Sequence, residues 1–139
     1  MFVFGLFLRL MILKCLKDQD PFRIFGSGNQ IRHYTNGLDI ARGIRICLEH
    51  PNALNNDFNI SSPISTTVIE LAEMIWKKIN PAKPFQFESD KPFEYDVEKR
   101  IPSVSKAKEL LGFETKINLS DSLDEVITWM KKKELKNLE

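Results

Sequence analysis

Cysteine and histidine are scarce in this chain. Cys15, Cys47, His33 and His50 are the only ones among 139 residues. Their separations match neither the close ligand pairs of a zinc site nor the density of a disulfide scaffold. No metal is expected, and each cysteine reads as a small buried apolar residue. An excess of one charge is missing too: 20 basic residues face 19 acidic ones, for a formal charge of +1. Such a chain has no electrostatic pull toward a phosphate backbone, so no nucleic-acid partner is expected. Long hydrophobic runs are limited to one. Met1 to Leu13 is apolar apart from Gly5 and Arg9 and stops at Lys14, short of the roughly 20 residues a membrane span needs. It also lacks the basic start and small-residue cleavage site of a signal peptide. A buried helix is the expectation, with no membrane partner and a cytoplasmic location by default.

What is present is ordinary globular material, 42% hydrophobic and 28% charged, long enough for one core. The apolar start extends as a helix to Leu16 or Lys17, and Asp18-Gln19-Asp20-Pro21 ends it, because a residue before proline is pushed from the helical region. Phe22 to Phe25 reads as a short strand, closed by the Gly26-Ser27-Gly28-Asn29 turn. A helix is expected from Asn36–Asp39 onward, with Leu38, Ala41, Ile44, Arg45 and Leu48 as its buried face. Phe58-Asn59-Ile60 is a strand candidate. The next helix is capped by Ser65 or Thr66 and stacks Val68, Leu71, Ala72 and Ile75 into a core stripe, widened by Ile69, Trp76 and Ile79. A proline-rich stretch from Pro84 to Pro102 leaves room for short extended pieces around Phe85–Phe87. A short helix over Ser103–Leu111 ends at Gly112. A last helix from about Ser120 to Lys133 buries Leu123, Val126, Ile127 and Met130. Short strands alternating with helices give an α/β class.

Two stretches carry a more specific pattern. Ile24-Phe25-Gly26-Ser27-Gly28-Asn29-Gln30-Ile31-Arg32-His33-Tyr34, with Leu38-Asp39-Ile40-Ala41, resembles the strand, glycine turn and Gln-x-Arg element of extended short-chain dehydrogenases acting on nucleotide-activated sugars. Arg100-Ile101-Pro102-Ser103-Val104-Ser105-Lys106-Ala107-Lys108-Glu109-Leu110-Leu111-Gly112-Phe113 resembles the R-x-P-D-x-S-K-A-x-x-x-L-G-F/W element near the C-terminus of the same NAD-dependent epimerases and dehydratases. Phe58-Asn59-Ile60 is similar to that family's Tyr/Phe-Asn-Ile strand. The elements fall in the family's order over roughly residues 10 to 135.

The resemblance implies the small substrate-binding domain of such an enzyme, taking a nucleotide-diphosphate sugar. It implies that Arg32 contacts the diphosphate, to which a guanidinium offers a planar fork of donors. Gln30 either orients Arg32 or touches the ligand. Arg32 as an exposed strand-end arginine is the plain alternative. Two departures stand out. Ser103 replaces the usual Asp, and Phe93 sits near the place of a second diphosphate-binding Arg, for which Arg100 is the substitute.

Other family parts are not found. No glycine run forms the G-x-x-G-x-x-G turn that receives the pyrophosphate of NAD, so no cofactor is expected on this chain although the family uses NAD. Tyr95-Asp96-Val97-Glu98-Lys99 satisfies the family's catalytic Tyr-x-x-x-Lys string only formally, since Pro92 and Pro102 crowd out the helix it needs. No catalytic residue is expected, and the Rossmann domain is expected to be absent. The organisation read from this is an apolar helix over residues 1–17, with a non-native start in a truncated or split gene, and a nucleotide-sugar-binding domain over 18–139. Three expectations follow: a binding domain silent by itself, the interaction half of a split enzyme pairing with a Rossmann domain, or a non-functional remnant. A homo-oligomer is the other partner considered, with uncovered apolar residues on the first helix (Phe2, Phe4, Phe7, Leu8) and Leu6 and Leu10 nearer the body.

Overall fold

The computed structural model describes residues 2–92 and 94–136, with side chains over 7–92 and 94–133. Among these, the chain runs α1 (Phe2–Leu16), β1 (Phe22–Phe25), β2 (Ile31–Arg32), α2 (Gly37–Glu49), a 3-10 turn (Pro51–Ala53), β3 (Thr66–Thr67), α3 (Val68–Ile79), β4 (Phe87–Asp90), α4 (Ser105–Leu111) and α5 (Leu119–Lys136). This is the α/β class expected, with short strands and several helices. The residues gather into two compact units, one of Met1–Gln30, Thr67–Glu98 and Leu123–Glu139, the other of Ile31–Thr66 and Lys99–Ser122.

In the first unit β1 and β4 pair in parallel, from Phe22 opposite Phe87 to Phe25 opposite Asp90. The two-residue period of the strand sends Phe22 and Ile24 inward and Arg23 and Phe25 outward. Arg23 then reaches across the ladder to Asp90 at 3.0 Å. α3 starts at a reciprocal cap: the Thr67 hydroxyl accepts the Glu70 N–H at 3.1 Å, and the Glu70 carboxylate accepts the Thr67 N–H at 2.7 Å. The cap lies one residue beyond Thr66, because Thr67 alone among Ser65, Thr66 and Thr67 has a glutamate three residues on. Leu71, Ala72, Ile75 and Trp76 are buried as expected, together with Met11, Ile12 and Cys15 of α1 and Leu123, Ile127 and Met130 of α5. Asn80, closing α3, donates to the Cys15 carbonyl at 3.1 Å and so ties α3 to α1. On α1 the expected orientation needs one correction. Leu10 is 47% exposed, because Met11, Ile12 and Cys15 define the inward side and Leu10 lies off it. Phe7 and Leu8 are half-buried, while the side chains of Phe2, Phe4 and Leu6 lie outside those described.

The second unit is built on α2 and α4. The Asn36 side chain caps α2 by accepting the Leu38 N–H at 2.8 Å. The buried face of α2 is not the expected one. Leu38, Ala41, Ile44, Arg45 and Leu48 are all exposed, and the inward side is Asp39 and Gly43, flanked by half-buried Ile40, Ile46 and Cys47. Apolar residues occupy both sides of this helix, so spacing alone could not choose between them. Gly43 decides the matter physically: a Cβ there would overlap Ile60 and press the Phe113 ring at 3.1 Å. Ala107, Leu111 and Phe113 form the core of this unit, with Ile46, Cys47, Ala53, Phe58 and Ile60 packed on it. Phe58-Asn59-Ile60 forms no strand. Its alternation survives as two side chains on the core, but its backbone joins no ladder among the described residues, and Asn59 instead donates to the Ser103 carbonyl at 2.9 Å. α4 ends at Gly112 with φ 61°, the left-handed cap that glycine adopts without strain.

Candidate functional site

The glycine turn lies at the end of β1. Gly26 and Gly28 both have positive φ, 71° and 76°. The space a Cβ would take at Gly26 is filled by the Gln30 amide, and at Gly28 by the Ile69 side chain. The Gly28 carbonyl accepts the Ile69 N–H at 3.0 Å and the Gln30 carbonyl accepts the Val68 N–H at 3.1 Å, so the turn is stitched to the start of α3. Gln30 is 8% exposed. Its amide nitrogen donates to the Phe25 carbonyl at 3.1 Å and to Asp96 Oδ2 at 2.8 Å. Its Oε1 is buried without a hydrogen-bond partner among the described residues. The glycines therefore serve close packing within the unit, and Gln30 braces the turn against the segment carrying Asp96.

Arg32 and Arg100 belong to the second unit, and the structure brings them together through the backbone. Ile31 bridges Lys99 in parallel, which sets Arg32 and Arg100 at the following register position. The Ile31 carbonyl accepts the Arg100 N–H at 3.1 Å and Arg32 Nη1 at 2.8 Å. Arg32 is half-buried and Arg100 exposed. The other side of this strand is held by the Ser61–Ser65 loop. The Ser62 N–H donates to Thr35 Oγ1 at 2.9 Å. His33 Nδ1 lies 2.7 Å from the Ser62 carbonyl and its Nε2 lies 3.0 Å from Ser65 Oγ. A carbonyl only accepts, so Nδ1 carries a proton and donates it to Ser62. Arg32, on a strand fixed from both sides, and Arg100, on the segment bridged to it, bear guanidinium groups of the kind that donate to the oxygens of a diphosphate.

His33, Tyr34 and Asp96 were not legible as site-building residues. Tyr34 has a buried hydroxyl with no partner among the described residues, and burial pushes its pKa up to about 12 against the opposing charge of Arg32. Asp96 carried no sequence signal, because its partner Gln30 is 66 residues away. Asp39 lies in the first turn of α2, as expected, and is also fully buried. It accepts the Lys116 N–H at 2.9 Å, the Ile117 N–H at 3.0 Å and Arg42 Nη2 at 2.8 Å. Burial works to raise its pKa, but the Arg42 hydrogen bond and the two backbone donors outweigh that, and the carboxyl is held below its usual value. Tyr95 is exposed in a turn and Lys99 lies in the extended bridge, so no helix sets the two one turn apart. Phe93 lies outside the described residues. Among those described, no group of three or more His, Cys, Asp or Glu is placed to hold a metal ion, and no helix is long and apolar enough to cross a membrane.

Residues 5–61 match the model of the NAD dependent epimerase/dehydratase family. UDP-glucuronic acid decarboxylase 1 of Arabidopsis thaliana is 32% identical over 108 residues, 78% of this chain and 24% of the plant protein. A putative UDP-glucose 4-epimerase of Methanocaldococcus jannaschii is 35% identical over 124 residues, 88% of this chain and 38% of the archaeal one. These matches mark the chain as corresponding to a part of an NAD dependent epimerase/dehydratase family protein. Solved members share its fold. The UDP-glucuronic acid 4-epimerase of Bacillus cereus in complex with UDP-glucuronic acid and NAD superposes with a TM-score of 0.78 at 27% identity, over 90% of this chain and 39% of that one. The Thermotoga maritima UDP-glucose 4-epimerase with UDP-glucose gives 0.78 at 28%, over 91% and 40%. The chain thus spans well under half the length of these relatives.

The family's cofactor can be tested against the one glycine turn described. A dinucleotide pyrophosphate needs open backbone at a glycine turn and the N-terminus of a helix following it. Here the turn leads into β2, and its glycines are covered by Gln30 and Ile69. The turn does not fit that group.

Proposed function

We propose that this chain is the nucleotide-sugar-binding part of an epimerase, dehydratase or decarboxylase of this family, working in the cytoplasm and catalytically silent without an NAD-binding part. The observation that carries the reading is the meeting of Arg32 and Arg100 at the Ile31 carbonyl. Arg32, half-buried and tethered, binds the diphosphate; Arg100 adds a second guanidinium; Gln30 is a positioning residue that fixes the turn before the strand. Relatives solved with UDP-glucose or UDP-glucuronic acid give the ligand class. Calorimetric titration with UDP-glucose and UDP-glucuronic acid tests it. Weak saturable binding is expected, reduced by about 1.5–3 kcal/mol in Arg32→Ala, the range for a hydrogen bond to a charged group. An unchanged affinity in Arg32→Ala would remove Arg32 from the site.

A second reading is the interaction half of a split enzyme, paired with a separately made Rossmann domain. What favours it over a non-functional remnant is the uncovered apolar side of α2. A chain that binds the sugar nucleotide unaided and takes up no NAD-binding partner would set it aside.

A further inference from the structure

Beside the arginine pair, the second unit joins a hydroxyl nucleophile to a base. His33 directly follows β2 and Ser65 directly precedes β3. Their side chains meet, with His33 Nε2 3.0 Å from Ser65 Oγ. The other ring nitrogen, Nδ1, lies 2.7 Å from the Ser62 carbonyl and donates to it. That bond selects the tautomer. With a proton on Nδ1, the neutral ring keeps its lone pair at Nε2, on the side of the serine.

The carbonyl that orients the ring is itself held. Ser62 is 8% exposed. Its N–H donates to Thr35 Oγ1 at 2.9 Å, its hydroxyl accepts the Ile64 N–H at 3.2 Å, and its carbonyl also accepts the Ser61 hydroxyl at 3.3 Å. Pro63 follows, with φ locked by its ring. The bonds of Ser62 therefore hold the loop already, and fixing it does not call for a second contact at Nε2. Ser65 is exposed, so a reagent in solution reaches its hydroxyl. Nucleophile, base and orienting acceptor are each within hydrogen-bond reach of the next, with the acceptor buried and the nucleophile open. This is the geometry by which a side-chain base activates a hydroxyl.

We propose that Ser65 and His33 form a nucleophile–base pair that takes an acyl group from small activated esters, an activity separate from any epimerase, dehydratase or decarboxylase reaction. Ser65 Oγ attacks the ester carbonyl carbon while its proton passes to His33 Nε2. The Oγ–C bond forms, the C–O bond to the leaving group breaks, and the departing oxygen takes the proton from Nε2. Water, deprotonated at the same Nε2, then releases the carboxylic acid, and the proton returns to Ser65 Oγ. Because Ser65 is open to solvent, reactivity rather than shape selects the substrate, which is why an ester with a good leaving group is the class.

Mass spectrometry of the full chain treated with a fluorophosphonate probe tests the proposal. An adduct with phosphorus bonded to Oγ and fluoride lost is expected, and peptide mapping should place it on Ser65 rather than on Ser61, Ser62 or Thr35. Ser65→Ala should carry none. Unfolding in urea should slow labelling of the parent by about 10²-fold, the lower end for help from a general base. His33→Asn keeps a donor for the Ser62 carbonyl but puts no base beside Ser65, and should slow labelling by about 10²-fold as well. Free imidazole should partly restore labelling of His33→Ala, a rescue that a merely structural histidine would not give. If the His33 variants misfold, the native and urea-unfolded parent still decide the matter. p-Nitrophenyl acetate should acetylate Ser65 with a burst of p-nitrophenolate. Ser65 left unlabelled, or labelled as fast in urea or in a folded His33→Asn, overturns the proposal and leaves the pair as a loop tie. Acetylation confined to lysines has the same meaning.

Discussion

Arg32 and Arg100 are joined through a single acceptor, the Ile31 carbonyl, which takes the guanidinium of one at 2.8 Å and the backbone N–H of the other at 3.1 Å. The two residues thus depend on it differently. Removing the Arg100 side chain leaves its backbone bond to Ile31 in place, so Arg100→Ala subtracts a charge and keeps that bond to the strand. Arg32→Lys keeps the charge but loses both the planar fork and its fixed tether. UDP-glucose titration should therefore show Arg32→Lys closer to Arg32→Ala than to the parent, and Arg100→Ala milder than either. Equal losses for Arg32→Ala and Arg100→Ala would mean that charge alone matters.

Asp39 should govern the acid limb of stability. Its pKa is held below the ordinary carboxylate value of about 3.9 in the folded chain. Its contribution is thus complete above that value and is lost as pH falls from about 4 through the folded pKa. Asp39→Ala should cost about 3 kcal/mol at pH 7, the lower end for breaking a buried pair because Arg42 keeps partial contact with water. Urea denaturation between pH 7 and pH 3 measures both effects. The variant should lose less stability over that range than the parent.

Gly43→Ala sets two opposing effects against each other. Alanine favours a helix interior over glycine by about 1 kcal/mol, while its methyl would be driven into Ile60 and Phe113 at a typical overpacking cost of about 1–3 kcal/mol. Net destabilisation of about 1 kcal/mol is expected. In an Ile60→Ala background the closest overlap is gone and only the Phe113 contact at 3.1 Å is left, which a small shift of the ring relieves, so the same change should become stabilising. A double-mutant cycle by urea denaturation reads the reversal of sign. Persistence of the loss would place the strain elsewhere.

Cys15 should resist alkylation in the folded chain. Burial pushes its pKa up to about 12, against the lowering influence of Lys14, and the thiolate is the reactive form. Peptide mapping after iodoacetamide treatment at pH 8 should find Cys15 unmodified until urea is added. Labelling of the native chain at the rate of the unfolded one would show α1 opening away from α3.

Features whose partners are close in sequence were legible before the structure. The glycine cap of α4 and the core stripe of α3 both follow from local spacing. The inward side of α2 was not, because two apolar arcs compete on one helix and Gly43, which selects between them, has no hydrophobicity to register. The pair of arginines could be named from the family pattern. Their link through Ile31 could not, since it joins segments 69 residues apart by backbone bonds that any side chain would permit. The buried role of Asp39 was hidden for a similar reason: its donors, Lys116 and Ile117, are also backbone groups.

The first unit takes its residues from the beginning, the middle and the end of the chain. β1 must wait more than 60 residues for its ladder partner β4, and Leu123, Ile127 and Met130 arrive only with the last helix. Loop closure over such separations comes before the contacts that reward it, which slows folding. During synthesis Leu71, Ile75 and Trp76 thus leave the ribosome well before α5 is available to them. This order of emergence makes the half-made chain the stage most exposed to aggregation.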